Sequence, residues 1–174
     1  MKKLTLILLT MTLFSCSAKK VENYSDKNPK FDIQQYFSGK TEAYGIMQDR
    51  SGKVTRRFSV KMEGVVKNNQ LTLQEYFLFD DGEKQERVWV VDMKDANHFT
   101  ATAGDVVGVA KGKQFGNALQ MNYVLRVPYK GTTLDLSVDD WMYLIDEQSL
   151  INVSEIKKFG FVVAKLTIGF KKLN

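Results

Sequence analysis

The side chains able to do covalent, acid–base or metal chemistry are few. The 174 residues include one Cys and one His. One Cys can form neither an internal disulfide nor a CxxC site, and one His cannot build a multi-His metal centre. His98 sits in Asp95-Ala96-Asn97-His98. It is the one imidazole that could serve as a base, and its loop position reads as a solvated turn. The adjacent carboxylates Asp80/Asp81 and Asp139/Asp140 invite comparison with glycoside hydrolysis, which needs two carboxyl groups about 5–10 Å apart across a cleft. Asp80-Asp81-Gly82 is explained by turn formation. Asp139-Asp140 interrupts an alternating strand and predicts a bulge that turns Trp141, Tyr143 and Ile145 inward. Glycines 104, 108, 112 and 116 lack the GK[ST] and the following helix of a phosphate loop. On a continuous strand they would share one face, for close packing or for ligand room. No catalytic residue, metal site or cofactor is therefore expected.

The chemistry of the N-terminus is that of an address. Lys2 and Lys3 precede the apolar run Leu4–Phe14, 11 residues long. That is too short for a bilayer-spanning helix, which needs about 20 residues, and it suits a secretory signal peptide. The run ends in Leu13-Phe14-Ser15-Cys16, which resembles the lipobox of bacterial lipoproteins, with Phe14 bulkier than usual. The resemblance implies cleavage before Cys16 and lipidation of Cys16, and Ser17 resembles the outer-membrane sorting pattern of Gram-negative lipoproteins. Buried acyl chains contribute about 0.8 kcal/mol per CH₂, and two or more chains hold a protein stably. The expected location is the periplasmic face of the outer membrane. Loss of residues 1–15 leaves 23 basic and 20 acidic side chains, a net charge of +3. The basic residues form no stripe, so nucleic acid is not an expected partner. Residues 16–30 are polar, with four Lys and Pro29, and read as a tether. Residues 31–174 form the folded domain.

That domain alternates apolar and polar residues in short runs separated by Gly, Asn and Asp, a β pattern. Its turns set register. Arg50-Ser51-Gly52 sets Gln48 opposite Val54, Ile46 opposite Arg56 and Tyr44 opposite Phe58. Asn68-Asn69 sets Val66 opposite Leu71, Met62 opposite Glu75 and Phe58 opposite Phe79. Asp80-Asp81-Gly82 sets Glu75 opposite Arg87 and Leu73 opposite Trp89. Gly116-Asn117 sets Gly112 opposite Met121, Ala110 opposite Tyr123 and Val106 opposite Val127. Lys130-Gly131 sets Tyr123 opposite Val138. These registers place apolar residues on one face, whereas a one-residue slip would scatter them. Further strands are expected around Trp141–Ile145, Leu150–Ile156 and Phe159–Phe170. The prediction is an all-β, single antiparallel up-and-down barrel of roughly nine or ten strands, because closure removes exposed edges. A two-layer sandwich is the alternative. The architecture resembles the lipocalins and their calycin relatives. Lys and Arg at outward positions argue against a membrane-spanning barrel.

The same registers put Arg56, Glu75 and Arg87 on the face of Phe58, Phe77 and Trp89. Buried charges are costly unless paired. They read either as ion pairs, Arg87 with Glu75 and Arg56 with Asp81, or as a cavity offering an Arg to an anionic headgroup. The candidate ligand-binding residues are Arg56, Glu75, Arg87, Trp89, Tyr123, Trp141 and Tyr143. The candidate ligand is a lipid or fatty acid. The other reading is a filled barrel docking onto an envelope protein, a partner that the sequence leaves unidentified.

Several strings occur together: Gln48 through Phe58, Asp80-Asp81-Gly82-Glu83 through Arg87-Val88-Trp89, Gly116-Asn117-Ala118-Leu119, Asp139 through Leu144, and Lys158-Phe159-Gly160-Phe161. They resemble a family of Gram-negative lipoproteins that share a domain of unknown function. The resemblance runs over nearly the whole chain from Phe31. It implies no catalytic residue. Relatives sit beside enzymes that modify membrane fatty acids, so it implies lipid-related work.

Overall fold

The computed structural model describes residues 19–173. Cys16, the expected signal peptide and the lipobox-like run lie outside them. The described chain forms ten antiparallel strands. These are β1 Gly39–Asp49, β2 Val54–Lys67, β3 Gln70–Phe79, β4 Lys84–Met93 and β5 His98–Thr102, then β6 Ala110–Phe115, β7 Ala118–Tyr129, β8 Thr132–Leu144, β9 Ser149–Lys158 and β10 Phe161–Lys172. Each pairs with its sequence neighbours, and β1 pairs with β10, so the sheet closes into an up-and-down barrel. Closure removes the edges that a sandwich would have left.

Local turn chemistry sets most of the register. Asn68 and Asn69 take φ of 51° and 62°, the pair of left-handed residues that a two-residue hairpin requires and Asn tolerates. Val66 accordingly faces Leu71, Met62 faces Glu75 and Phe58 faces Phe79. The next hairpins place Glu75 opposite Arg87, Leu73 opposite Trp89 and Tyr123 opposite Val138, as expected.

The structure corrects four expectations. Between β1 and β2 the pairing shifts after Gln48–Val54, so Met47 faces Arg56 and Gly45 faces Phe58. Tyr44 consequently points outward. Gly45 makes this register possible: a Cβ there would lie 2.4 Å from the Phe58 ring. Beyond Lys111 the β6–β7 ladder stops. Val106 bridges Leu125 rather than Val127, and the segment before Ala110 is a loop. Strand β8 crosses Asp139-Asp140 without a bulge. Asp140 therefore stays on the inner face with Val138 and Leu144, while Trp141 and Tyr143 lie on the other face, away from the interior cluster. Finally, residues 19–30 do not hang free. A short 3-10 turn, Val21–Tyr24, lies on the outer wall, with Val21 buried against Ala118 and Trp141. Its polar composition hid one buried Val and one Tyr that cover an apolar patch.

One end of the barrel is stoppered. The helix α1, Ile33–Phe37, enters it with Phe31, Ile33, Tyr36 and Phe37 all buried. At the other end, where β1 meets β2, β3 meets β4, β5 meets β6, β7 meets β8 and β9 meets β10, no helix enters among the described residues, and the β5–β6 loop contributes Gly104 and Asp105 to the interior wall.

Candidate functional site

Between the plug and the open end lies a cavity of about 1070 Å³. Its wall is mostly apolar, with Phe58, Val60, Leu73, Phe77, Trp89 and Ile168 among the lining residues, and Ile33 and Phe37 of α1 lining it at the stoppered end. Those on strands occupy inward positions set by the alternation of the β backbone. A cleft of hundreds of Å³ with an apolar wall and a few converging polar groups is the usual form of a small-molecule site.

The polar groups form a belt part-way up the wall. Glu75 from β3 and Arg87 from β4 are cross-strand partners, and Arg87 Nη1 lies 3.8 Å from Glu75 Oε2. Arg87 makes closer contacts with Asp105, in the loop before β6: its Nε donates to Oδ2 at 3.0 Å and its Nη2 lies 2.9 Å from the same oxygen. Glu75 Oε2 and Asp105 Oδ1 are both buried and accept no hydrogen bond. Burial pushes the Glu75 carboxyl up to about 7; Arg87 opposes the shift, and Asp105 and Asp140 add to it. Asp140, also buried, accepts hydrogen bonds from Ser154 Oγ at 2.7 Å and from Asn152 Nδ2. Desolvation still raises its carboxyl above the ordinary range, against those two bonds. Tyr123 packs edge-on against Trp89, with ring centroids 5.4 Å apart. Burial pushes its hydroxyl up, and Asp140 reinforces this.

Arg56 lies at the open end. It pairs with Glu83 at 2.8 Å and with Asp81 at 3.3 Å, and its guanidinium stands 3.6 Å from the Phe79 ring centroid. Of the sequence-predicted residues, Arg56, Glu75, Arg87, Trp89 and Tyr123 thus line one cavity. Trp141 and Tyr143 do not. They stack on each other outside the barrel under Tyr24, and Lys19 Nζ lies 3.9 Å from the Trp141 ring centroid. Their removal from the site follows from the unbulged β8.

Asn152, Ser154 and Asp105 are among the polar lining residues that escaped the sequence reading. Asn152 and Ser154 occupy inward positions of β9 between Leu150 and Ile156. Their signal was present, as polar residues interrupting an apolar period. Asp105 gave none, because a loop has no register to read. His98 is half-exposed beside Asp95, with Nδ1 2.9 Å from Oδ1, and does not line the cavity. Among the described residues no group of three His, Cys, Asp or Glu is placed to hold a metal ion.

Comparison with solved structures places the barrel among lipocalin-like calycin folds. The S-type phycobiliprotein lyase CPES of Guillardia theta superposes with a TM-score of 0.57 at 8% identity, over 90% of this chain and 99% of the lyase. A DUF3598-family protein of unknown function from Nostoc punctiforme gives 0.56 at 12% identity, over 84% of this chain and 51% of its own. At such identities the likeness is one of fold. No curated protein matches the chain. The family model described as protein of unknown function, DUF3833, matches residues 10–172. A match over that span makes the chain a member of the DUF3833 family.

Proposed function

We propose that this protein is a lipid-anchored envelope protein that carries a long-chain, lipid-like molecule inside its barrel. The observation that carries the reading is the cavity: about 1070 Å³, with an apolar wall, stoppered at one end by α1 and without a plug at the other. An alkyl chain gains about 0.8 kcal/mol for each CH₂ taken out of water, so such a wall rewards length and apolarity. A barrel meant only to dock onto another protein gains nothing from an unfilled interior, because unfilled space forfeits packing. Membrane attachment rests on the lipobox-like run ending at Cys16.

One preparation tests both halves. The Cys16→Ser chain, purified without detergent and read by native mass spectrometry, is expected in the soluble fraction, without an acyl mass and with a small apolar molecule that organic solvent extracts. A Cys16→Ser chain that stays with the membrane overturns the anchor. A protein that carries no extractable molecule and does not brighten an apolar fluorophore overturns the carriage.

A further inference from the structure

The polar belt of the cavity has one guanidinium and three carboxyl groups. Arg87 faces Glu75, Asp105 and Asp140, and all four line the same space. The guanidinium is already engaged. Its Nε and Nη2 both hold Asp105 Oδ2, and its Nη1 points to Glu75. The two other arginines along the wall are engaged as well, Arg56 by Glu83 and Asp81, and Arg126 by Asp135 at 2.7 Å. Among the described residues no Lys lines the cavity. A ligand carboxylate therefore meets no free cation here. To reach Arg87 it would have to displace Asp105 and break both contacts that Asp105 Oδ2 makes with the guanidinium.

Acceptors are the groups left over. Glu75 Oε2 and Asp105 Oδ1 are buried without a hydrogen-bond partner. An unmade hydrogen bond in the interior carries its full desolvation cost, and a partner that supplies the missing donor recovers it. Asp140 differs from them: Ser154 and Asn152 donate to its Oδ1, and neither of its oxygens is buried without a partner. The residue line at the site is thus complete for anions and incomplete for donors.

We infer that the barrel selects long-chain molecules whose head group donates hydrogen bonds, an alcohol or an amine, over those ending in a carboxylate, with Glu75 and Asp105 as the accepting groups. This rests on the carriage reading above and reverses the expectation of an arginine waiting for an anionic headgroup. The apolar tail lies along Phe58, Phe77 and Leu73, and the head group reaches the belt beside Trp89 and Tyr123.

The test is competition on the full chain. Fluorescence of bound N-phenyl-1-naphthylamine, an uncharged apolar probe, is titrated with dodecan-1-ol, dodecylamine and dodecanoate, which share one tail. The alcohol and the amine are expected to displace the probe at roughly ten-fold lower concentration than dodecanoate, the equivalent of about 1.4 kcal/mol. An amine ahead of the alcohol adds charge to the same donor chemistry, and parity assigns the preference to hydrogen bonding alone. Dodecanoate equal to or ahead of both overturns the inference and leaves carriage standing. Displacement by none of the three overturns carriage itself, and the inference with it. Glu75→Gln separates the acceptor from the wall. It removes the carboxylate, keeps the size and leaves Arg87 on Asp105. The amine should lose most of its advantage over dodecanoate while the probe still binds. An unchanged advantage, in a variant with the wild-type circular dichroism spectrum, removes Glu75 from the site.

Discussion

The two ends of the barrel are built on different principles. At the stoppered end, residues distant in sequence interlock. Phe31, Ile33, Tyr36 and Phe37 are each no more than 6% exposed, and their rings meet edge to face, Tyr36 on Phe37 at 5.0 Å and Phe37 on Phe170 at 5.9 Å. The backbone of α1 is tied down at both termini. Asp32 Oδ1 accepts from the N–H groups of Gln34 and Gln35, and Gln114 Oε1 accepts from Ile33 N–H. Lys172 Nζ donates to the carbonyls of Gln35, Tyr36 and Ser38. These partners satisfy groups that a helix of five residues otherwise leaves without bonds. Gly64 completes the fit, since a Cβ there would lie 1.8 Å from the Phe37 carbonyl oxygen. At the open end, the β5–β6 loop apart, the connections are hairpins of a few residues, with exposed pairs such as Arg57–Asp80 at 3.1 Å, where Arg57 is 71% exposed. Its turns even present apolar rings to solvent, with Phe159 87% exposed and Phe161 70% exposed. The contrast separates stability from access. One end is closed by a packed helix, and the other has no helix across it among the described residues.

That separation can be broken by substitution. The largest effect is expected at the plug. Phe37→Ala removes a buried ring that lines the cavity and should cost about 3–5 kcal/mol in urea unfolding. A loss below about 1 kcal/mol, the typical scale of an ordinary substitution, would show that α1 is not a structural stopper.

The belt between the ends comes next, and its effect depends on pH. Folding raises the Glu75 carboxyl from its ordinary 4.5 to about 7. The folded state therefore holds a proton that the unfolded state has released. Glu75's contribution is fully present below about pH 4.5 and is lost as the pH climbs through about 7. The total is about 3 kcal/mol at about 1.4 kcal/mol per pKa unit. The groups facing Glu75 are Arg87, Asp105, Asp140, Tyr123 and Trp89. Asp140, raised in the same direction, adds to the slope. Glu75→Gln should flatten the fall in stability over this window and leave Asp140's share. An unchanged profile would mean that Glu75 is not desolvated.

The smallest effect is expected at the rim. Arg57→Ala removes one partner of an exposed pair, and such pairs are screened by water and salt. Its urea midpoint should match the wild type within error. A clear loss would make the rim a structural element and weaken the contrast with the plug.

The registers at Asn68-Asn69, Asp80-Asp81-Gly82 and Lys130-Gly131 were legible because a short hairpin dictates the pairing of everything beyond it. So were the inward Arg56, Glu75 and Arg87, and the pairing of each Arg with a carboxylate. What was misread depended on contacts that no local rule carries. Gly45 opposite Phe58 is a matter of one ring needing one missing Cβ. The run Asp139-Asp140 looked like a bulge because two adjacent carboxylates break alternation. Ser154 and Asn152, on a strand ten or more positions away, make the inward Asp140 tolerable.

By itself, then, the amino-acid order determined an antiparallel barrel, its approximate strand count, most of its cross-strand neighbours and a charged patch on its inner face. It did so because alternation and turn geometry act over a few residues. Only the tertiary structure decided that the barrel is hollow, that α1 stoppers it, that Val21 and Tyr24 rather than a ligand cover Trp141 and Tyr143, and that Asp105 completes the belt. Each of these depends on where a loop or a terminal segment comes to rest against a distant strand. Packing sets that position, and periodicity does not encode it.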